Sequence, residues 1–260
     1  GVIVLDNLWL SPPAGLVLDD DDVHVWRADL DQPEPFIRQL AGMLSDDERE
    51  RADHFHFDIH RDHFIVGRGL LREILGRYLN VEPGRLQFSY GRQGKPGLLN
   101  SDGDPGLRFN LAHSGQLALC AVTRNREIGI DLEYIRPVLD MDLVAERNFS
   151  PRENAVLQAL PPGERPLAFF NCWTRKEAYI KAIGEGLSRP LDQFDVSLAP
   201  GEPARLLWVA GNPQEASCWS LRELAVATGY VAALAVEGQD WSLTCRQWQA
   251  ANLFNFRQAK

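Results

Sequence analysis

The sequence predicts an α+β fold made of two similar subdomains, and three observations support this prediction. A helix-start signal occurs twice: "LSDDERERA" carries Ser45 and Glu48, and "FSPRENAVL" carries Ser150 and Glu153. In each half a long helical pattern follows this signal, and a strand hairpin pattern follows the helix. Because the order is shared, we interpret the halves as a duplication related by a pseudo-twofold axis. The interface between them is the expected place for a functional site.

The N-terminal subdomain is predicted to span residues 1–125. After an acidic loop, "VHVWRADL" has the composition of a strand. A long helix is predicted over "DHFIVGRGLLREILGRYL", where apolar residues keep helical spacing, and "LQFSYGRQGKPGL" predicts a strand followed by a glycine-rich turn. The segment "LRFNLAHSGQLALCAVTRNREIGIDLEYIRP" predicts strands joined by turns at Ser114-Gly115 and Arg124-Asn125.

The C-terminal subdomain is predicted to span residues 126–260. There "FFNCWTRKEAYIKAIGEGL" occupies the place of the long helix of the first half, and "TGYVAALAV" parallels the earlier "SGQLALCAV". Two fused halves supply between themselves an interface that separate subunits would otherwise form. We therefore expect a monomer.

Composition excludes several classes of partner. The chain has 260 residues, of which 45% are hydrophobic and 24% charged, as in ordinary globular proteins. A formal net charge of -9 disfavours nucleic acid and anionic membranes as partners, so a polyanionic ligand would need a locally basic pocket. Four widely spaced cysteines with no CxxC pair are typical of buried thiols in a reducing cytoplasm. The start of the chain lacks a basic region and carries Asp6, so we expect a cytoplasmic protein.

The hexapeptide "GIDLEY" places Asp131 and Glu133 on either side of Leu132. Alternate residues of a strand share a face, so the two carboxylates point the same way while Leu132 points inward. Like charges this close repel unless a cation lies between them. From the hexapeptide alone, a cation site and a solvated strand end remain equally good interpretations.

A second charged pattern lies on the predicted helix "WTRKEAYIKAIGEGL". Trp173, Glu177 and Lys181 repeat every four residues and share a helical face, which Lys176 flanks. Alone, this pattern is typical of a surface Glu-Lys pair. If Glu177 faces the two carboxylates of "GIDLEY", however, three hard oxygen ligands converge beside a lysine, and such ligands suit Mg²⁺. The lysines would then hold phosphate oxygens.

These segments carry a resemblance. "GIDLE" followed by "WTRKEAYIK", in that order and at that separation, resembles the paired signature of the 4'-phosphopantetheinyl transferase superfamily. The additional "FNLAHS" and "GRQGKPGL" segments and the duplicated length are similar to its Sfp-type branch, the branch that activates surfactin synthetase. The similarity extends over nearly the whole chain, from Leu44 to Val236.

The resemblance implies a role for each matching residue. Mg²⁺ on the pyrophosphate of coenzyme A would be bound by Asp131, Glu133 and Glu177. Phosphate charge would be neutralised by Lys181 and Lys176. The nucleotide pocket would be lined by Lys95, Pro96 and His113, with His113 near the 3'-phosphate, and positive charge would be added by Arg51 and Arg68. Two positions depart from the family pattern: Ala112 stands where serine is common, and Glu48 where a phosphate-binding lysine can occur.

The function that the resemblance implies is Mg²⁺-dependent transfer of 4'-phosphopantetheine from coenzyme A to a serine of an apo acyl or peptidyl carrier protein, with release of 3',5'-ADP. Glu177, directly or through a metal-bound water, would be the general base, and Lys181 would assist catalysis. Two alternatives remain open. One is an Mg²⁺-dependent hydrolase of a nucleotide pyrophosphate, and the other is a non-catalytic module that binds coenzyme A or a carrier protein.

Two further sets of residues are predicted to be structural. The segment "HFHFDIHRDH" contains four histidines, which could form a zinc site but are more typical of surface or helix-cap positions. Four tryptophans of the second half are predicted to lie in the core rather than to contact a ligand: Trp208, Trp219, Trp241 and Trp248.

Overall fold

The computed structural model describes residues 8–91, 95–99, 106–184 and 189–250. Part of the predicted glycine-rich turn, residues 92–94, therefore lies outside the described residues. The described helices and strands alternate as an α+β fold, as the sequence predicts. No helix among them is both long enough and apolar enough to cross a membrane.

The order of elements in the first half is repeated in the second. The first half contains β1 (Asp22–Asp29), α1 (Glu34–Ala41), α2 (Asp46–Asp53), α3 (Asp58–Leu79), β2 (Phe88–Tyr90), β3 (Pro96–Leu98), β4 (Leu107–Ser114) and β5 (Leu117–Arg124). The second contains β6 (Ile128–Tyr134), α4 (Met141–Asn148), α5 (Pro151–Ala159), α6 (Arg165–Ile183), β7 (Phe194–Val196), β8 (Leu206–Val209), β9 (Trp219–Glu223) and β10 (Tyr230–Glu237), followed by β11 (Ser242–Gln247). The repeat of this order begins between β5, which ends at Arg124, and β6, which begins at Ile128.

Local signals explain the helix starts. Both predicted capping boxes form: the amide of Ser45 donates to Glu48 Oε2 at 3.1 Å, and the amide of Ser150 donates to Glu153 Oε2 at 2.9 Å. These bonds satisfy backbone groups that the first turn of a helix leaves unpaired. Among the predicted turns, Gly115 has a φ of 56°, a left-handed conformation that glycine adopts without strain.

Two main sheets pack against each other, with a long helix behind each. Strand order is β11-β1-β5-β4 in the first sheet and β6-β10-β9 in the second. One buried cluster lies between the sheets and includes Val25, Leu132 and Leu234. A second joins α3 to the first sheet, and a third joins α6 to the second sheet. Leu132 is buried, as the sequence predicts.

Strand β11 departs from the predicted division of the chain. It pairs in parallel with β1, so that Asp22 lies opposite Ser242, although the two strands come from opposite ends of the sequence. In space, therefore, the segment 242–247 belongs to the sheet of the first half. The division of the chain between residues 125 and 126 stays a prediction, and this pairing crosses it.

Two further expectations are partly wrong. Cys120, Cys172 and Cys245 are buried free thiols, as predicted, but Cys218 is exposed. Among the tryptophans, Trp208 is exposed because it lies on the short β7–β8 hairpin, and the other three are buried.

Candidate active site

The site begins where strand β6 lies directly against helix α6, at Gly129. A methyl group at this position would overlap the carbonyl oxygen of Ala178 and the amide nitrogen of Ala182, and would lie 3.0 Å from Cα of Ala182. Only a glycine permits this close approach of strand and helix backbones. The approach brings Asp131 of β6 to Lys181 of α6, whose Nζ lies 2.6 Å from Asp131 Oδ1.

Asp131 is buried, with 7% of its surface exposed, so a solvated strand end is the wrong interpretation for this residue. Burial raises its pKa to about 6; Lys181 opposes the shift, whereas Glu177 and Glu133 add to it. Its Oδ2 atom is buried and has no hydrogen-bond partner within the described part of the chain. A buried carboxylate oxygen without a donor is a free acceptor for a cation.

The other two carboxylates lie within electrostatic range of Asp131. Burial raises the pKa of Glu177, with Lys181 opposing the shift and Glu133 adding to it. Glu133 is held through its Oε2 atom, which accepts hydrogen bonds from Arg136 Nη1 at 3.0 Å and from Ser114 Oγ at 3.2 Å. The three carboxylates are thus neighbours, but Asp131 pairs with Lys181 and Glu133 pairs with Arg136.

The sequence predicts that the carboxylates of Asp131, Glu133 and Glu177 converge on one metal ion. In the structure they do not meet at one point. In the described ranges no group of three His, Cys, Asp or Glu side chains is arranged to hold a metal ion. Like charges repel, and Lys181 and Arg136 lie on two of the three carboxylates. The donor set nevertheless fits Mg²⁺, which uses one or two protein carboxylates together with water and substrate phosphate. The unpartnered Oδ2 of Asp131 is available to such an ion.

Beside the carboxylates lies a cavity of about 710 Å³ that four of the predicted pocket residues line: Arg51, Arg68, Pro96 and His113. Nη1 of Arg68 is buried and has no hydrogen-bond partner in the described chain. Its guanidinium lies over the rings of Phe64 and Tyr90, at 5.6 and 5.5 Å from their centres. A buried cationic donor without a partner, in the wall of a cavity, suits an anionic ligand.

Strand β4 connects this cavity to the carboxylates. His113 faces the cavity, and burial, with smaller contributions from Lys181, His63 and Arg68, lowers its pKa. The next residue, Ser114, donates to Glu133 and accepts from the amide of Tyr134 at 3.0 Å. Ala112, the position that departs from the family pattern, is buried between the two sheets and does not line the cavity.

Lys95 lies between the cavity and helix α6. It lines a second cavity of about 350 Å³, and Pro96 lines both cavities. Its Nζ atom donates to the carbonyl oxygen of Lys181 at 2.6 Å, and burial lowers its pKa. Lys95 thus contacts the backbone of the residue whose side chain pairs with Asp131.

Lys176 does not join the site, and this corrects the prediction that it neutralises phosphate. The residue is fully buried, its Nζ lies 2.9 Å from Glu153 Oε1, and it donates to the carbonyl oxygens of Leu191 and Phe194. Neighbouring residues of a helix lie about 100° apart around its axis, so Lys176 faces a different direction from Glu177.

The first half contains a counterpart of this buried pair. Arg72 of α3 lies 2.7 Å from Glu48 Oε2 and donates to the carbonyl oxygens of Pro83 and Leu86. Glu48, which stands where a phosphate-binding lysine can occur, is thus buried and paired. In both halves the glutamate of a capping box therefore binds a cation of the following long helix.

Several residues of the site carry no signal that the sequence analysis could use. Gly129 is one, because only the helix packed on it explains the need for glycine. Ser114 is another, because a serine in a turn is ordinary. Arg136 lies just beyond the strand that carries the carboxylates.

Comparison with known proteins identifies the family. Residues 26–125 match the family model described as 4'-phosphopantetheinyl transferase, N-terminal, and residues 127–235 match that of the 4'-phosphopantetheinyl transferase superfamily. The chain is 48% identical over 238 residues to the 4'-phosphopantetheinyl transferase HetI of Nostoc sp., covering 92% of this chain and 97% of HetI. It is 34% identical over 162 residues to the 4'-phosphopantetheinyl transferase Sfp of Bacillus subtilis, covering 62% and 69% of the two chains.

Among solved structures, the holo-[acyl-carrier-protein] synthase of Thermotoga maritima matches with a TM-score of 0.35 and 21% identity, over 44% of this chain and 63% of that chain. The near full-length similarity to HetI, together with the two family models that meet between residues 125 and 127, establishes the family. The chain belongs to the 4'-phosphopantetheinyl transferase superfamily.

Proposed function

We propose that this enzyme transfers the 4'-phosphopantetheine group of coenzyme A to a serine of an apo carrier protein, with Mg²⁺ and with release of 3',5'-ADP. Family membership supports the reaction class. One structural observation supports the assignment of the site: His113 and Ser114 are consecutive residues, of which the first faces the basic cavity and the second binds Glu133. A ligand with a nucleotide joined to a pyrophosphate would reach both places at once.

In this proposal the adenosine phosphates of coenzyme A lie in the cavity. Arg51, Arg68 and His113 would hold them, with Pro96 and Lys95 along the wall next to α6. The overall charge of -9 makes such a local basic surface necessary, because the rest of the protein repels anions. Arg68 would gain the partner that its buried Nη1 lacks among the described residues.

The carboxylates would act on the pyrophosphate. The Mg²⁺ ligands would be Asp131, Glu133 and Glu177, and the chemistry that a bound ion supplies is neutralisation of pyrophosphate charge. Lys181 would contribute a further positive charge beside Asp131. Arg136 would have to leave Glu133, which costs little because more than half of the Arg136 side chain is exposed.

The transfer itself needs a base. The serine oxygen of the carrier forms a bond to the phosphorus next to pantetheine, the bond from that phosphorus to the bridging oxygen breaks, and 3',5'-ADP leaves. Glu177 would accept the serine proton, and burial raises the pKa of this carboxylate, which makes it a stronger base. No residue of the enzyme needs to be covalently modified. We expect the enzyme to act as a monomer in the cytoplasm.

The test follows the intact mass of an apo carrier protein incubated with coenzyme A, Mg²⁺ and enzyme. Transfer adds phosphopantetheine to the carrier. Consumption of coenzyme A without a change in carrier mass would indicate a hydrolase, and neither change would indicate a binding module. Glu177→Gln and Asp131→Ala should abolish transfer while the fold survives. Glu146→Gln, the same change on the exposed face of α4, should transfer at the wild-type rate.

A further inference from the structure

The histidine-rich segment at the start of α3 contributes to the wall of the basic cavity. His60 and His63 both line it, together with Arg51 and Arg68 from the same region of the chain. In the described part of this segment no three His, Cys, Asp or Glu side chains are arranged to hold a metal ion. The function proposed above assigns no role to His60 or His63.

His63 is held in place by Asp31, which lies in the loop after β1. Nε2 of His63 is 2.6 Å from Asp31 Oδ1, and only 17% of the His63 side chain is exposed. A carboxylate on one ring nitrogen fixes the orientation of the ring and leaves the other nitrogen for a ligand. Nδ1 of His63 has no hydrogen-bond partner in the described ranges of the chain.

The second oxygen of Asp31 holds another part of the cavity wall. Oδ2 accepts from Gln116 Nε2 at 2.6 Å, and the amide of Leu30 donates to the carbonyl oxygen of Gln116 at 2.7 Å. Gln116 lies in the β4–β5 turn, three residues after His113. One carboxylate therefore connects α3 to the turn that follows the strand of His113.

The negative charge of Asp31 allows its two possible effects on an anionic ligand to be distinguished. Asp31 is the only acidic side chain among the described residues that line the cavity, and the proposed ligand is an anion. A carboxylate that acted only through its charge would weaken the binding of an anion. A carboxylate that fixes His63 and Gln116 would instead strengthen binding, because it prepares both parts of the wall before the ligand arrives.

We propose that His63 of α3 is a further contact of the phosphorylated nucleoside of coenzyme A, in addition to His113 of β4, and that Asp31 is the positioning residue that orients His63 and the β4–β5 turn. The role rests on the proposed function, since it needs coenzyme A as the ligand. His63 and His113 lie near enough to interact electrostatically, in agreement with a shared ligand.

The experiment measures binding of 3',5'-ADP by isothermal titration calorimetry, without metal or carrier protein. His63→Ala should weaken binding roughly tenfold to a hundredfold, the value of a hydrogen bond to a charged group. Asp31→Asn should weaken it roughly threefold to tenfold, although this change removes a negative charge from the wall. Asp62→Asn is the matched control, because Asp62 neighbours His63 but pairs with Arg61 outside the cavity. It should bind as the wild type does.

The two residues should also depend on each other. In the double variant, the loss should be smaller than the product of the two single losses, because Asp31 acts through His63. With coenzyme A and carrier, Asp31→Asn should raise KM and leave kcat nearly unchanged. Unchanged or tighter binding in Asp31→Asn, or unchanged binding in folded His63→Ala, would overturn this inference. Failure of the wild-type enzyme to bind 3',5'-ADP would instead overturn the proposed function.

Discussion

Replacing Gly129 by alanine should inactivate this enzyme without touching any group proposed to contact the substrate. The added methyl would overlap backbone atoms of Ala178 and Ala182 and would lie 3.0 Å from Cα of Ala182, where carbon atoms ordinarily stay about 3.5–4.0 Å apart. Helix α6 must therefore move away from β6 by roughly 0.5–1 Å at least. Backbone atoms cannot rotate aside as the end of a flexible side chain can.

The size of the effect follows from this displacement. Inserting a methyl into a packed interface costs about 1–3 kcal/mol in the free energy of unfolding, so the protein should still fold. The same movement separates Asp131 on β6 from Lys181 and Glu177 on α6. A misplacement of about 1 Å between reacting groups can cost about a hundredfold in rate. We therefore expect kcat/KM to fall by about two orders of magnitude, with modest loss of stability.

The assay combines carrier-protein mass analysis with thermal unfolding. Gly163→Ala is the control, since a methyl there meets no atom within 4 Å and should change neither measurement. If Gly129→Ala transferred phosphopantetheine at the wild-type rate, the contact between β6 and α6 would not position the carboxylates. If Gly129→Ala failed to fold, its loss of activity would show only that this contact is needed for packing. Tm must therefore be measured on the same sample.

Three further outcomes are expected. Lys176→Met should lower the free energy of unfolding by about 3–5 kcal/mol, because it leaves the buried carboxylate of Glu153 without its cation, and should leave the KM for coenzyme A unchanged; a raised KM would restore a phosphate role for Lys176. Burial, with a smaller contribution from Arg246, lowers the pKa of His24 from 6.5 to about 4, so the unfolded chain binds the proton first and stability falls by roughly 3 kcal/mol as the pH drops from 7 to 4. His24→Gln should flatten that part of the wild-type pH dependence in denaturant titrations, and an identical slope would contradict the burial argument. His113→Ala should weaken the use of coenzyme A roughly tenfold to a hundredfold but hardly affect 3'-dephospho-coenzyme A, whereas equal losses would show that His113 only supports its strand.

Much of the fold could be predicted because its signals are local. Capping boxes at Ser45 and Ser150 and the long helical patterns after them depend on a few neighbouring residues, and both appear where expected. The alignment of "SGQLALCAV" with "TGYVAALAV" pairs two hairpins that do correspond, but its register is wrong. Ala118 and Cys120 face α3, but in the second hairpin Val231 and Ala233 face α6, so the equivalent faces differ by an odd number of residues. A strand repeats every two residues, so a shift of one reverses every side chain.

The site was predictable where one helix face defines it and unpredictable elsewhere. Glu177 and Lys181, four residues apart, do share a face beside Asp131. Lys176 was misassigned because closeness in sequence was taken for closeness in space. Asp31 and His63 could not be connected from the sequence, because their contact joins a loop after the first strand to a helix three elements later.

The pairing of β1 with β11 has a consequence for synthesis. On the ribosome β1 is made well before β11, so this edge of β1 stays unpaired until the segment 242–247 has emerged. During that time an open strand edge is available to other chains, and edges of this kind promote aggregation. The residue after β11, Trp248, donates to the buried Glu73 of α3 at 2.9 Å, so this contact also forms late in synthesis. Folding of the first half is therefore completed by a segment that is made after β6 to β10, and a chain cut short before residue 242 should aggregate although every proposed catalytic residue is present.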